Sequence, residues 1–414
     1  MDTRGAGGRG ERAIAISRRT ARTLEELPSP RSTPIAYRSL STADRTTRLN
    51  IPFLNLKAQY DSLKSELLPA VEAALASGHY ILGPNVKAFE EEIATYTGTR
   101  HGIGVNSGSD ALTLALRALD IGPGDEVITT PFTYIAPAES IHQMGAKIVF
   151  ADIDPGTLCL DPQEVARRIT PRTKAIIAVH LFGQMADLAS LQKLSVERGI
   201  HLIEDCAQAI GARNATHPAG SFGAMGCFSF YPTKNLGADG DGGMVVTNDD
   251  ALAKKLWMLR VHGIERRYYH DLHGFNSRLD ELQAAILLVK LKHLDAWNDR
   301  RRTIAARYSK GFAGLPVQTP VTAPGNHHIF HVYALQTDRR DELQQHLERS
   351  GVPTLIYYPL PLHLQKVYAG YGWREGDFPV AEATSKRIQP LPMYPELSDD
   401  QVDYVIETVR AFFQ

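Results

Sequence analysis

The sequence predicts an α/β fold: a large domain built on a mostly parallel central sheet, followed by a small C-terminal α/β domain. Three observations carry this. From Ile51 onward, short β-branched or apolar runs alternate with segments of helical period, the pattern of crossover units in a sheet buried on both faces. Past residue 280 a long helical stretch interrupts that alternation, and a second, shorter set of strand-like and helix-like segments follows it. With 414 residues, 43% of them hydrophobic and 22% charged, the chain can fill two sizeable cores.

Residues 1–50 are rich in Arg, Ser, Thr and Gly, contain no lysine and lack a sustained apolar period, which is the composition of a disordered extension or of an arginine-rich leader. The strand signals come next: "DEVITTPF", "AKIVFADI", "KAIIAVHLF", "HLIEDCA", "CFSFYP" and "GGMVVTN". Helical stretches such as "DALTLALRALDIG" and "LASLQKLSVERG" lie between them. These place the large domain over residues 51–300. "LDELQAAILLVKLKHLDAWNDRRRTIAARYSKGF" reads as one long helix bridging to a small domain over 301–414, with strand-like "HIFHVYALQT" and "VPTLIYY" and the helix-like "RDELQQHLERSG" and "DDQVDYVIETVRAFF".

Bulk properties exclude several function classes. Lysine plus arginine (45) balances aspartate plus glutamate (46), so no overall field recruits nucleic acid or an anionic membrane. No apolar run approaches the roughly 18 residues of a spanning helix. Three cysteines without metal-ligand spacing suit a reducing compartment, and the expected location is the cytoplasm.

In open parallel sheets ligands gather at the carboxyl ends of strands. Asp205 closes the strand-like "HLIED" and Lys234 follows the strand-like "FSFYP". A carboxylate and an amine at matching strand ends suit a cofactor with an aldehyde and a pyridine ring, namely pyridoxal 5′-phosphate. The lysine bonds the aldehyde, and the aspartate keeps the ring nitrogen protonated and electron-withdrawing. "VNSGSDALTLALRALDIGPGDE" offers a phosphate cradle. Ser107 or Ser109 caps a helix starting near Asp110 and stopped by Gly122 and Pro123, and its amino end carries free N–H groups. Ser229, five residues before Lys234, adds a hydroxyl. Tyr134 in "PFTYIAP" can stack on the ring, and Gln208, one turn beyond Asp205, can reach its phenolic oxygen.

In order along the chain, "NSGSDAL", "GPGDEVITTPFTYIA", "AVHLFGQMADL", "IEDCAQAIGA", "FSFYPTKNLGADGDGG", "LRVHGI" and "GFNSRLDELQAAIL" resemble the motif series of the DegT/StrS family of nucleotide-sugar aminotransferases. The resemblance runs from about Ile51 to the C-terminus. It implies a fold type I pyridoxal-phosphate transferase and a homodimer with shared active sites. Lys234 matches the lysine that bonds the cofactor, Asp205 the pyridinium partner, Gln208 the O3′ contact and Tyr134 the stacking ring. Ser109, the backbone N–H of Asp110 and Ser229 match the phosphate ligands, and Asn276 matches an asparagine reaching the phosphate from the partner subunit. The C-terminal text, "TLIYYPLPLHLQKVYAGYGWREGDFPVAE", is similar to 3-aminotransferases of dTDP-3-keto-6-deoxyhexoses, with L-glutamate the implied amino donor. His363 and Tyr358 then fall in the sugar pocket. Many relatives read His-Tyr-Pro where this chain has Tyr357, Tyr358 and Pro359.

Other signals carry less. "DGDGG" lacks the glycine and glutamate of a calcium loop, since those positions are Met244 and Asp250. His327, His328 and His331 sit in a loop-and-strand context without a carboxylate or cysteine partner, so no metal is expected. The family's sugar dehydratases have histidine in place of the lysine, and Lys234 argues against that chemistry. A 4-amino product, a UDP-linked substrate or a non-catalytic regulator of the same fold are the alternatives.

Overall fold

The structure is a computed structural model, and it describes residues 51–414; the extension expected over 1–50 lies outside the described residues. Its main sheet has seven strands: β1 (His101–Val105), β2 (Glu126–Thr129), β3 (Lys147–Phe150), β4 (Thr173–Val179), β5 (His201–Asp205), β6 (Met225–Ser229) and β7 (Gly243–Thr247). The spatial order is β1-β7-β6-β5-β4-β2-β3. Every pairing is parallel except those of β7, which runs antiparallel to β1 and β6. The expected runs supply six of these strands. β1 lies on "HGIGV", where two glycines dilute the apolar signal and pairing with β7 decides the conformation.

In the parallel part Val179 pairs with Asp205, and Asp205 with Cys227, so three strands end in register at one edge. Facing that edge is the amino end of the Gly108–Ala118 helix. Seven of its eleven residues are buried, so it packs between the sheet and its neighbours rather than on the surface. Ser107 is its N-cap, accepting a hydrogen bond from the Asp110 N–H at 3.1 Å. The helix therefore starts two residues earlier than Asp110. It stops at Ala118, short of Gly122, because Asp120 takes a left-handed φ of 56°. A Cβ on Gly108 would meet Ser229 Cβ at 2.6 Å, and one on Gly243 would meet the Ser107 carbonyl oxygen at 2.3 Å. Only glycine lets this helix start touch β6 and β7.

The expected single long helix is two, Glu281–Leu291 and Leu294–Gly311. They part at Lys292 and His293, and the residues after the break turn to a separate core. Ile304, Ala305, Tyr308 and Phe312 pack there with Tyr333, Leu335, Val402 and Val405, and also with Ile51 from the start of the described chain. After a short hairpin, β8 (Ile264–Arg266) with β9 (Tyr269–His270), the remaining strands are β10 (Tyr333–Gln336) and β11 (Ile388–Leu391), an antiparallel pair. "VPTLIYY" is not a strand. Both edges of β10 are taken, one by β11 and the other by Gln318, which exchanges backbone hydrogen bonds of 2.9 and 2.8 Å with Gln336.

Replacing Gly243 by alanine would drive a methyl into the Ser107 carbonyl, which backbone cannot relieve by rotating. The variant should lose about 1–3 kcal/mol of stability. Thermal unfolding beside the wild type checks this.

Candidate active site

A cavity of about 580 Å³ opens where β4, β5 and β6 end. Among its lining are Asp205, Lys234, Ser109, Ser229, Tyr134 and Gln208. Tyr358 completes the set, so residues as far apart in the chain as Ser109 and Tyr358 line one cavity.

Three expected residues behave differently. The Asp110 N–H is taken by the Ser107 cap, so the N–H groups without a partner among the described residues at this helix start are those of Gly108 and Ser109. Asn276 is exposed, bridges to Val261 and does not line the cavity. His363, expected in the sugar pocket, is 2% exposed and lies outside the cavity lining. Its Nε2 pairs with Glu382 at 3.0 Å and its ring packs edge-on against Phe378, because the short helical turn Leu362–Leu364 aims it inward.

Two consecutive carboxylates end β5, and they have opposite surroundings. Glu204, fully buried, accepts hydrogen bonds from His180 Nε2 (2.9 Å), the Gly220 N–H (2.9 Å) and the Phe222 and Gly223 N–H groups (2.8 Å each). His180 Nδ1 accepts from the Ala186 N–H, so the ring's proton sits on Nε2, toward Glu204. Burial would raise the Glu204 pKa, but the bonds from His180, Gly223 and Gly220 outweigh it and hold the group below 4.5. His180, Glu204 and Cys206 lie within metal-ligand range of each other, yet their lone pairs on Nδ1 and both carboxylate oxygens are already engaged.

Among the described residues Asp205 has one hydrogen-bond partner, the Ala207 N–H at 3.0 Å on Oδ1. Its other oxygen has none among the described residues. Burial raises its pKa, against the pull of the Ala207 N–H and the Lys234 charge. Lys234 Nζ has no hydrogen-bond partner among the described residues, and burial lowers its pKa to about 8 despite Asp205. Gln208 is fixed by accepting from the Phe182 N–H (2.8 Å) and donating to Tyr358 Oη (3.1 Å). Tyr134 is 61% exposed, leaving a ring face open to the cavity. A half-satisfied buried carboxylate, an unpartnered desolvated amine and a glycine-lined helix start with two free N–H groups are what pyridoxal phosphate requires of its site.

Phe182, inside the motif "AVHLFGQMADL" but given no role there, and His331, weighed only as a metal ligand, also line the cavity. Phe182 holds a left-handed φ of 58°, stabilised by its bond to Gln208. His331 lies 97 positions beyond Lys234, and only folding brings the two together.

Residues 61–410 match the profile of the DegT/DnrJ/EryC1/StrS aminotransferase family. The chain belongs to this family. It is 49% identical to a pleiotropic regulatory protein of Geobacillus stearothermophilus, over 88% of this chain and 99% of that one. It is 47% identical to the dTDP-3-amino-3,4,6-trideoxy-alpha-D-glucose transaminase of Streptomyces venezuelae, over 89% and 98%. The crystal structure of S. venezuelae DesV in complex with a ketimine intermediate superposes with a TM-score of 0.87 at 47% identity, covering 88% of this chain and 99% of that one. Other solved relatives hold pyridoxal or pyridoxamine phosphate. This DegT/DnrJ/EryC1/StrS chain is accordingly an aminotransferase that depends on pyridoxal 5′-phosphate. Among its described residues no helix is long and apolar enough to cross a membrane.

Two outcomes follow from the electrostatics. Glu204→Gln turns an amide NH₂ toward backbone donors and should cost about 1–3 kcal/mol. Because the folded pKa is depressed, the wild-type contribution is complete above pH 4.5 and is lost as pH falls through the folded value, so denaturant midpoints of variant and wild type should converge in acid. For Lys234 only the neutral amine can bond the cofactor's aldehyde. The rate at which cofactor-free protein captures pyridoxal phosphate should therefore rise with pH about a midpoint near 8, followed by absorbance.

Proposed function

We propose that this enzyme converts a dTDP-3-keto-6-deoxyhexose to the dTDP-3-amino-3,6-dideoxyhexose with L-glutamate as amino donor, acting as a homodimer with shared active sites. The observation that carries the chemistry is the convergence of Asp205 and Lys234, both desolvated, in one cavity beside a phosphate-sized helix terminus. Substrate class is supported by the 47% identity to a dTDP-3-amino sugar transaminase.

When bound, pyridoxal phosphate supplies an electron-withdrawing ring and an aldehyde that takes up and passes on an amino group. The chain's own residues do the rest. The Gly108 and Ser109 N–H groups and the Ser109 and Ser229 hydroxyls would hold the phosphate, where the helix dipole favours negative charge. Asp205, itself 5% exposed, would keep a proton on the ring nitrogen through its charge. Tyr134 would offer its open face to the ring, and Gln208, its orientation set by the Phe182 N–H, has a second amide hydrogen to offer the phenolic oxygen. Lys234, half of it neutral near pH 8, would act as the base that takes the proton from the donor's Cα and as the acid that returns a proton to the sugar carbon. Tyr358, fixed by Gln208, borders the sugar.

The dimer has an electrostatic argument. Lys234 is the one lysine or arginine lining the cavity among the described residues, against Asp205 and Asp241. Cofactor phosphate, nucleoside diphosphate and glutamate bring several negative charges. Positive and polar groups from a second copy, with Asn276 on the segment reaching across, would balance them. Within each copy, residues 51–300 would form the cofactor-binding part and 301–414 the smaller part, with Ile51 and Leu54 docking on the latter's core.

Lys234→Ala should abolish turnover and the visible absorbance of the lysine-bound cofactor while leaving the melting transition in place; residual full activity would refute the assignment. Asp205→Asn should lower kcat by roughly 100-fold or more by weakening the ring's charge. Incubation with glutamate and a panel of dTDP- and UDP-linked ketosugars, with NMR of the products, should put nitrogen at C3 of a dTDP sugar. Nitrogen at C4, a UDP preference or no turnover each points to one of the alternatives.

A further inference from the structure

His331 enters the cavity at the end of a chain of side-chain amides whose orientations are forced, link by link. The Ile210 carbonyl can only accept, so the atom of Asn298 facing it at 3.1 Å is Nδ2. Asn298 therefore turns Oδ1 to Asn235, which donates to it from Nδ2 at 2.7 Å. The Ile329 carbonyl, 3.5 Å from the same Nδ2, demands the same orientation. Asn235 then has only Oδ1 left for His331, whose Nδ1 lies 2.9 Å away. An oxygen without a proton facing Nδ1 requires the proton to be on Nδ1. The neutral ring thus keeps a bare lone pair on Nε2.

Nothing around His331 favours adding a second proton. Burial first, then the charges of Lys234 and Arg301, holds its pKa well below the ordinary value. Arg301 reaches the His331 and Phe330 carbonyls at 3.4 Å and the Met393 carbonyl at 2.9 Å, so the segment's backbone is pinned as well as its ring. Asn235 is 4% exposed and follows Lys234 directly, so one hydrogen bond fixes both the imidazole and the base of the lysine's own loop. Lys234 Nζ, meanwhile, has donors to give and no acceptor bound to it among the described residues.

We infer that His331 is a positioning residue for Lys234: once glutamate has displaced the amine from the cofactor, His331 Nε2, the bare lone pair in the cavity the two residues share, accepts a hydrogen bond from it and so aims the amine's lone pair at the reacting carbon. The role is that of an acceptor locked in one tautomer by the Asn235–Asn298 relay, and it involves no proton transfer to the imidazole. It rests on Lys234 being the proton carrier proposed above.

The test uses the holoenzyme. Long-range ¹H–¹⁵N spectra, with the His331 ring signals assigned by their loss in His331→Gln, should show a neutral ring protonated on Nδ1. A ring protonated on Nε2, or on both nitrogens, overturns the inference. His331→Phe removes the acceptor and keeps the bulk; stopped-flow mixing with glutamate should show the proton-transfer phase slowed roughly 10- to 100-fold, the loss expected of a group misplaced by about an ångström. The KM values for glutamate and ketosugar should move less than about 3-fold. His331→Gln, which offers Asn235 a donor and Lys234 an acceptor, should recover most of the rate. A variant that raises either KM while leaving the proton-transfer phase untouched would make His331 a substrate contact instead. The visible absorbance of the lysine-bound cofactor should persist in both variants. Its loss in the wild type would refute the role of Lys234, whereas its presence with an unslowed His331→Phe would refute only the role of His331.

Discussion

The site depends on burying two adjacent carboxylates at the end of one strand and treating them differently. β5 alternates sides, so Glu204 and Asp205 point apart, and each would be costly to bury without partners. Glu204 receives four hydrogen bonds from its own chain and is spent on structure. Asp205 receives one among the described residues, leaving the rest of its demand for a ligand. A cofactor bearing a protonated ring nitrogen meets that demand, which ties affinity for the group to the electrostatics of catalysis.

The opposite wall is set by close packing. Gly108 and Gly243 let a helix start press against β6 and β7, so the free N–H groups of Gly108 and Ser109 and the Ser229 hydroxyl converge on one point. Lys234 stands between these walls on a loop held from behind. Asn235 ties it to Asn298 on the Leu294–Gly311 helix, and buried Arg301, its pKa lowered to about 10 by desolvation, ties that same helix to the backbone of His331. The helix that builds the second core is thus also the rear support of the catalytic lysine.

How much of this was legible follows from what each feature needs. Continuous apolar runs marked six strands of the main sheet, because strands covered on both faces have no polar side to blur the signal. β1 stayed hidden in a glycine-rich run whose partner strand supplies the order, and "VPTLIYY" has a strand's composition but pairs with none of the described strands. Motif order named Lys234, Asp205, Ser109, Ser229, Tyr134, Gln208 and Tyr358, all of which reach the cavity. His363 misled because a short helical turn, rather than strand alternation, decides its direction, and Glu382 claims it from 19 positions away.

By itself the sequence determined the alternating architecture, the family and the chemical pairing of an amine with a carboxylate, since those reside in local composition and in ordered motifs. Tertiary structure decided which N–H groups are free to meet a phosphate, which of two neighbouring acids remains unsatisfied, and that a distant histidine lines the lysine's cavity with its tautomer set by Asn235. Those are questions of hydrogen-bond partnership, and a partner drawn from another part of the chain is invisible until the chain has folded around it.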